Sequence, residues 1–83
     1  IKNYDYKNLF NLWIKYLQKF KIIDELTIKQ IIDLTKSELN ITGKNLFVPL
    51  RYGLISELHG PDLFTIINIL GINQCIERLK NGI

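Results

Sequence analysis

Residues 42 to 64 read TGKNLFVPLRYGLISELHGPDLF and hold both prolines, three of the five glycines, Arg51, Tyr52 and the chain's single histidine, His59. Gly and Pro in a loop between rigid helices let backbone groups approach a ligand closely, because Gly has no Cβ and Pro is pre-organised. Arg51 is planar, permanently charged and able to make two parallel hydrogen bonds to a base edge or a phosphate, while Tyr52 beside it can stack on an unpaired base. Such a set suits a clamp for splayed single-stranded RNA. The competing reading of the same residues is architectural: Arg51 pairs with Glu57 or Asp62, Tyr52 lies in a core and His59 is an ordinary loop residue. Pattern alone leaves both open.

Catalytic chemistry has fewer candidates. An enzyme site needs a nucleophile with its base, a carboxylate pair, a phosphate-cradling loop or a metal cluster. Neither GxxxxGK[ST] nor GxGxxG occurs. The lone Cys75 and the lone His59 fall on different predicted elements, which argues against a Cys–His dyad and against a soft-ligand set for zinc. The acidic neighbours Asp24 with Glu25, and Glu57 with Asp62, read as helix N-terminal anions and surface charges. No catalytic residue, no metal ligand and no cofactor is expected in this chain.

Composition sets the remaining bounds. With 83 residues, 47% of them hydrophobic, the chain is expected to form one thin-cored domain burying about 60 to 65% of its unfolded surface. Eleven Lys plus Arg against eight Asp plus Glu give +3, a mild basic excess that permits an anionic partner, although a bias toward Ile, Lys and Asn gives the same balance without one. The chain starts at Ile1 and holds no Met, so it is expected to be a piece of a larger protein. No secretory leader and no run of about 18 apolar residues is present, and Cys75 has no intrachain disulfide partner. A reducing cytosol, or an organelle matrix, is the expected compartment, with no membrane partner.

Elements must hold these residues in place. Tyr6, Leu9, Phe10, Trp13, Leu17 and Phe20 recur with the period of one helix face. Thr27 as N-cap with Gln30 three residues on reads as a capping box, opening a second helix with Ile28, Ile31, Ile32 and Leu39 inward and an end near Asn40. Leu46, Leu50, Gly53, Leu54 and Leu58 keep helical spacing. Pro49 belongs in a first turn, so the regular part of this third helix is expected to start there, with Gly60 and Pro61 as its stop. Asp62 can cap a fourth helix with Leu63, Ile66, Ile67 and Leu70 inward and Gly71 at its end. Asn73 can cap a fifth, with Ile76 and Leu79 inward and Glu77, Arg78 and Lys80 outward. No segment alternates with period two, and the expected fold is an all-α bundle of four to five short helices.

GKNLFVPLRYGLISELHGPDLFTIINILGINQCIERL, residues 43 to 79, resembles the C-terminal end of bacterial-type glutamyl-tRNA synthetases, whose closing segment runs GKxLFxPLRxALTGxxxGPxL, then an apolar helix, LG and a final xRL. The resemblance implies the C-terminal helical anticodon-binding domain of a class I aminoacyl-tRNA synthetase, across residues 1 to 83. It also implies a parent enzyme, usually monomeric, that joins L-glutamate to tRNA(Glu) through a glutamyl-adenylate with ATP and Mg²⁺. Its HIGH-type and KMSKS-type motifs are absent here. By the same resemblance, the wobble and middle anticodon bases meet Arg51 at a base edge, the backbone of Gly60 and Pro61, and the apolar side chain of Leu63. The chain departs from the pattern after Arg51, where the family's RxALTG reads Arg51, Tyr52, Gly53, Leu54, Ile55 and Ser56, so that the usual Thr and Gly are replaced. Two rivals stand beside this reading. One is a helix-turn-helix DNA binder at residues 64 to 82, disfavoured because Ile67 and Glu77 occupy positions that call for a small and an apolar residue. The other is a helical module that binds protein.

Overall fold

The computed structural model describes residues 6–20 and 24–82, which form five helices and no strand. The helices are α1 (Lys7–Lys19), α2 (Glu25–Leu39), α3 (Gly43–Ile55), α4 (Leu63–Leu70) and α5 (Ile72–Asn81). The all-α bundle follows from the apolar spacing, because each helix carries an inward stripe too narrow to bury alone. α1 contributes Leu9, Phe10, Trp13 and Leu17, the expected face, plus Leu12 and Ile14. Trp13 is fully buried, and its indole N–H has no acceptor among the described residues. The Tyr16 hydroxyl donates to the Glu38 carboxylate at 3.1 Å, tying α1 to α2.

Several boundaries differ from the sequence reading, each for a local reason. The N-cap of α2 is Asp24, whose carboxylate accepts the Thr27 backbone N–H at 2.8 Å, so Thr27 lies inside the helix. Farther along α2, Thr35 sits in the core because its hydroxyl donates to the Ile31 carbonyl at 2.6 Å and leaves only its methyl face to pack. α2 ends at Asn40 as expected, in the left-handed conformation with φ 53°.

α3 runs through Pro49 and does not begin at it. The ring removes one hydrogen bond to Asn45, but Asn45 is exposed, and Leu46, Pro49 and Leu50 are all buried on the same helix. Burial on both sides of the proline outweighs the local defect. The helix also stops before Gly60. Ser56 adopts φ 58° and donates its N–H to the Tyr52 carbonyl at 2.8 Å, which leaves Leu58 outside the helix and 44% exposed.

Asp62 caps α4 as expected from position, though its side chain takes the Thr65 hydroxyl at 2.5 Å in place of a backbone N–H. Gly71 ends α4 and also stands at the N-cap of α5, the position the sequence suggested for Asn73. α5 buries Cys75 and Leu79 and packs against α1, α3 and α4. Burial pushes the Cys75 thiol up to about 11 against a smaller opposing pull from Arg78. Its Arg78 is exposed as expected, and the guanidinium Nη1 reaches α3, donating to the Leu54 carbonyl at 2.7 Å.

Candidate nucleic-acid interface

α3 places Arg51 by burying its neighbours. Leu50 and Leu54 are 0% and 1% exposed, which turns Arg51 toward the segment joining α3 to α4. There the side chain folds over that loop: Nε donates to the Pro61 carbonyl at 3.2 Å and Nη1 to the Leu58 carbonyl at 3.4 Å. One guanidinium thus closes a loop that has little packing of its own, since residues 57–62 are all exposed. A guanidinium carries five N–H donors, so donors beyond these two are available to a ligand. Arg51 thus takes the architectural role, with backbone carbonyls as its partners in place of the Glu57 or Asp62 carboxylates.

Gly60 lies at φ 151°, a conformation that side chains rarely adopt. Space is not the constraint there, because an added Cβ would make ordinary contacts of 3.4 Å to Ile55 and 3.7 Å to Arg51. The backbone itself requires the glycine. His59 and Pro61 are exposed beside it. Asp62 follows, its carboxyl held below the usual value chiefly by the Thr65 hydroxyl.

Leu63 lies inward, as its place on the apolar face of the fourth helix predicts, so it offers little of the apolar surface that the resemblance implies for a base. It is 2% exposed and belongs to the core. Its accessible edge lines a cavity of about 360 Å³ whose walls include Ile28, Ile32, Phe47 and Phe64, with Lys29 and the acidic residues Glu25, Asp33 and Asp62 also lining it. Phe64 and Lys29 were not singled out by sequence, because nothing local to either residue shows that α2 and α4 come together. Tyr52 is 48% exposed, not core, and so is free to stack. Arg51, Gly60, Pro61 and Leu63 are brought together around one loop; Tyr52 lines a different cavity.

What this arrangement offers a ligand is a loop closed by an arginine fork beside a cavity with apolar walls. Among the described residues, no group of three or more His, Cys, Asp or Glu could hold a metal ion. No described helix is long and apolar enough to cross a membrane. The positions that disfavour a helix-turn-helix stay unsuited in the fold, since bulky Ile67 is buried in α4 and Glu77, where an apolar residue is called for, is exposed on α5.

The family model described as "Anticodon binding domain" matches residues 2–83. The chain belongs to the anticodon-binding domain family. Among its relatives, a protein named glutamate–tRNA ligase from Malacoplasma penetrans (strain HF-2) is 35% identical over 81 residues, covering 98% of the chain and 17% of that protein. Another of the same name, from Desulfitobacterium hafniense (strain Y51), is 30% identical over 71 residues, covering 86% of the chain and 14% of its own length. The anticodon-binding domain described here thus spans about a sixth of the length of these relatives. No solved structure matches it.

Proposed function

We propose that this anticodon-binding domain reads the anticodon loop of tRNA(Glu) as part of a glutamate–tRNA ligase acting in the cytosol or an organelle matrix as a monomer. The observation that carries the reading is the family match over residues 2–83, joined to a geometry in which Arg51, Gly60 and Pro61 form one pre-organised loop. Arg51 holds the loop through two donors and offers those remaining to a base edge. Gly60 and Pro61 let the RNA backbone or a base approach the exposed peptide. Phe64, partly exposed, supplies an apolar floor, with the edge of buried Leu63 in the same cavity. The ligation itself, in which glutamate displaces pyrophosphate from ATP and the resulting adenylate yields its acyl group to the tRNA, belongs to parts of the parent enzyme outside this chain, as do the ATP and Mg²⁺ it uses.

The test is a fluorescence-anisotropy titration with a glutamate-tRNA anticodon stem-loop against loops substituted at the wobble or middle base, at low and moderate salt. Preference for the cognate loop should persist at moderate salt, with each base contact worth roughly 1 to 3 kcal/mol. Arg51→Ala should weaken binding while the helical circular dichroism stays unchanged. Binding that ignores the bases and fades with salt would reduce the interaction to the +3 charge attracting phosphates. Unfolding of Arg51→Ala would make Arg51 purely architectural.

A further inference from the structure

A second cavity, of about 340 Å³, opens where the start of α1 meets the C-terminal ends of α3 and α5. Tyr6, Phe10 and Tyr52 give it aromatic walls, and Ser56, Arg78 and Asn81 give it a polar side. Small-ligand sites begin at about 300 Å³, so it has room for one flat ring and its sugar and not for a helix or strand. Its parts are fixed in advance. Phe10 is wedged against Gly53 and Gly82, where an added Cβ would lie 2.7 Å and 2.8 Å from the ring. Arg78 is pinned by its Nη1 bond to the Leu54 carbonyl, one of the α3 carbonyls without an intrahelical partner, which leaves Nε and Nη2 as a fork. At the rim stands Ser56, a non-glycine residue in the left-handed conformation, the kind of backbone strain that gathers at binding sites.

The chemistry of these groups selects the ligand. Tyrosine faces stack on bases of any sequence. An arginine N–H can donate to the N7 acceptor that every purine carries, and an asparagine amide, which both donates and accepts, can take the O6 of guanine or the N6 amino group of adenine beside it, so the two together favour a purine. Arg51 and Tyr52 are consecutive on α3, which places the cavity a short way along any strand that passes Arg51.

We propose that this cavity holds one unpaired purine nucleotide of the same RNA whose loop meets Arg51, with its base on Tyr52 and its edge on Arg78 and Asn81. The proposal rests on the tRNA reading above and adds a second, separate contact to it. Tyr52 and Asn81 are both exposed and can be changed without opening the core.

The experiment uses anticodon stem-loops carrying 2-aminopurine at each unpaired purine position in turn, titrated with the protein and with Tyr52→Ala, Tyr52→Phe, Asn81→Ala and Arg51→Ala. One position should lose fluorescence on binding. Tyr52→Ala and Asn81→Ala should each weaken binding by about 5- to 150-fold and abolish that change, since one stacked base is worth about that much. Tyr52→Phe should restore both, and Arg51→Ala at saturation should leave the signal in place. If both cavity variants bind like the unaltered protein while Arg51→Ala is impaired, the cavity proposal is overturned and the proposed function stands. If the unaltered protein ignores the stem-loop, both are overturned. If AMP alone shifts the nuclear resonances of Tyr52 and Asn81 while the stem-loop does not, the cavity is a free-nucleotide site and the RNA assignment is overturned.

Discussion

Gly53 offers the sharpest test of the packing. A methyl group there would lie 2.7 Å from Phe10 Cζ, 2.9 Å from Cε2 and 3.4 Å from Leu79 Cδ2. Carbon atoms pack at about 3.5 to 4.0 Å, so the ring must retreat by about 0.8 Å. Its freedom to do so is small, since Gly82 stands against the same ring edge so closely that a Cβ added there would lie 2.8 Å from Cε2. Overpacking of this kind costs about 1 to 3 kcal/mol, against a gain of about 1 kcal/mol from replacing Gly by Ala inside a helix. Gly53→Ala should therefore be destabilising by up to about 2 kcal/mol, a fall in Tm of up to about 10 to 15 °C for a domain of this size. The decisive measurement is a double-mutant cycle by urea denaturation with Phe10→Leu. With the ring gone, Gly53→Ala should turn neutral or stabilising by about 1 kcal/mol, giving a coupling of about 1 to 3 kcal/mol. Should Gly53→Ala stabilise the unaltered protein by the helix-propensity amount alone, Phe10 does not require the glycine and the wedge described here is wrong.

Other expectations follow from single features. Asp24→Ala should cost about 0.5 to 2 kcal/mol in denaturant titration, whereas Thr27→Ala, which keeps the donating backbone N–H, should cost less. Because hydrogen bonding to Thr27 lowers the Asp24 pKa below 3.8, the unfolded chain binds the proton first; the cap's contribution is complete above that value and fades as pH falls through the lowered one, which Asp24→Asn should remove from the pH profile of Tm. Ser56→Gly should raise stability by about 0.5 to 1 kcal/mol, since relief of left-handed strain exceeds the entropy Gly adds to the unfolded chain; a loss of stability would mean the serine is itself needed there. Cys75, fully buried with its thiol pushed up to about 11, should resist iodoacetamide at pH 8 and react at once in denaturant, as read by mass spectrometry.

How much of this was legible in the sequence varies with the range of the interaction. The α1 face and the Leu50–Leu54 pair were readable because periodicity reports burial directly. Asp24 was passed over for Thr27 because both are cap residues, and Leu26, 65% exposed, puts no inward residue in the first turn to mark the true start. Pro49 misled because the rule against proline in a helix is local and the burial that overrides it is tertiary. The Ser56 stop was invisible, since serine carries no signature of the left-handed conformation. At the candidate site, Gly60 and Pro61 mark a loop and Arg51 stands out by its residue type, while its place at an anticodon base comes from the resemblance alone. That Arg51 would be spent on the Leu58 and Pro61 carbonyls could not be read, because such a bond depends on the shape of the loop it closes.

The packing of α5 on α1 also sets an order of events during synthesis. Leu79 and Cys75 share a core with residues 58 or more positions earlier in α1, Leu17 being the nearest to Cys75 (75 − 17), so the partners are made far apart in time. Until α5 leaves the ribosome, the Trp13 face has no cover from that side, and closure waits on a contact between distant parts of the chain, the kind that slows folding. A nascent chain cut short after α4 should therefore stay open to proteases and chaperones, and the bundle should close only once its fifth helix arrives.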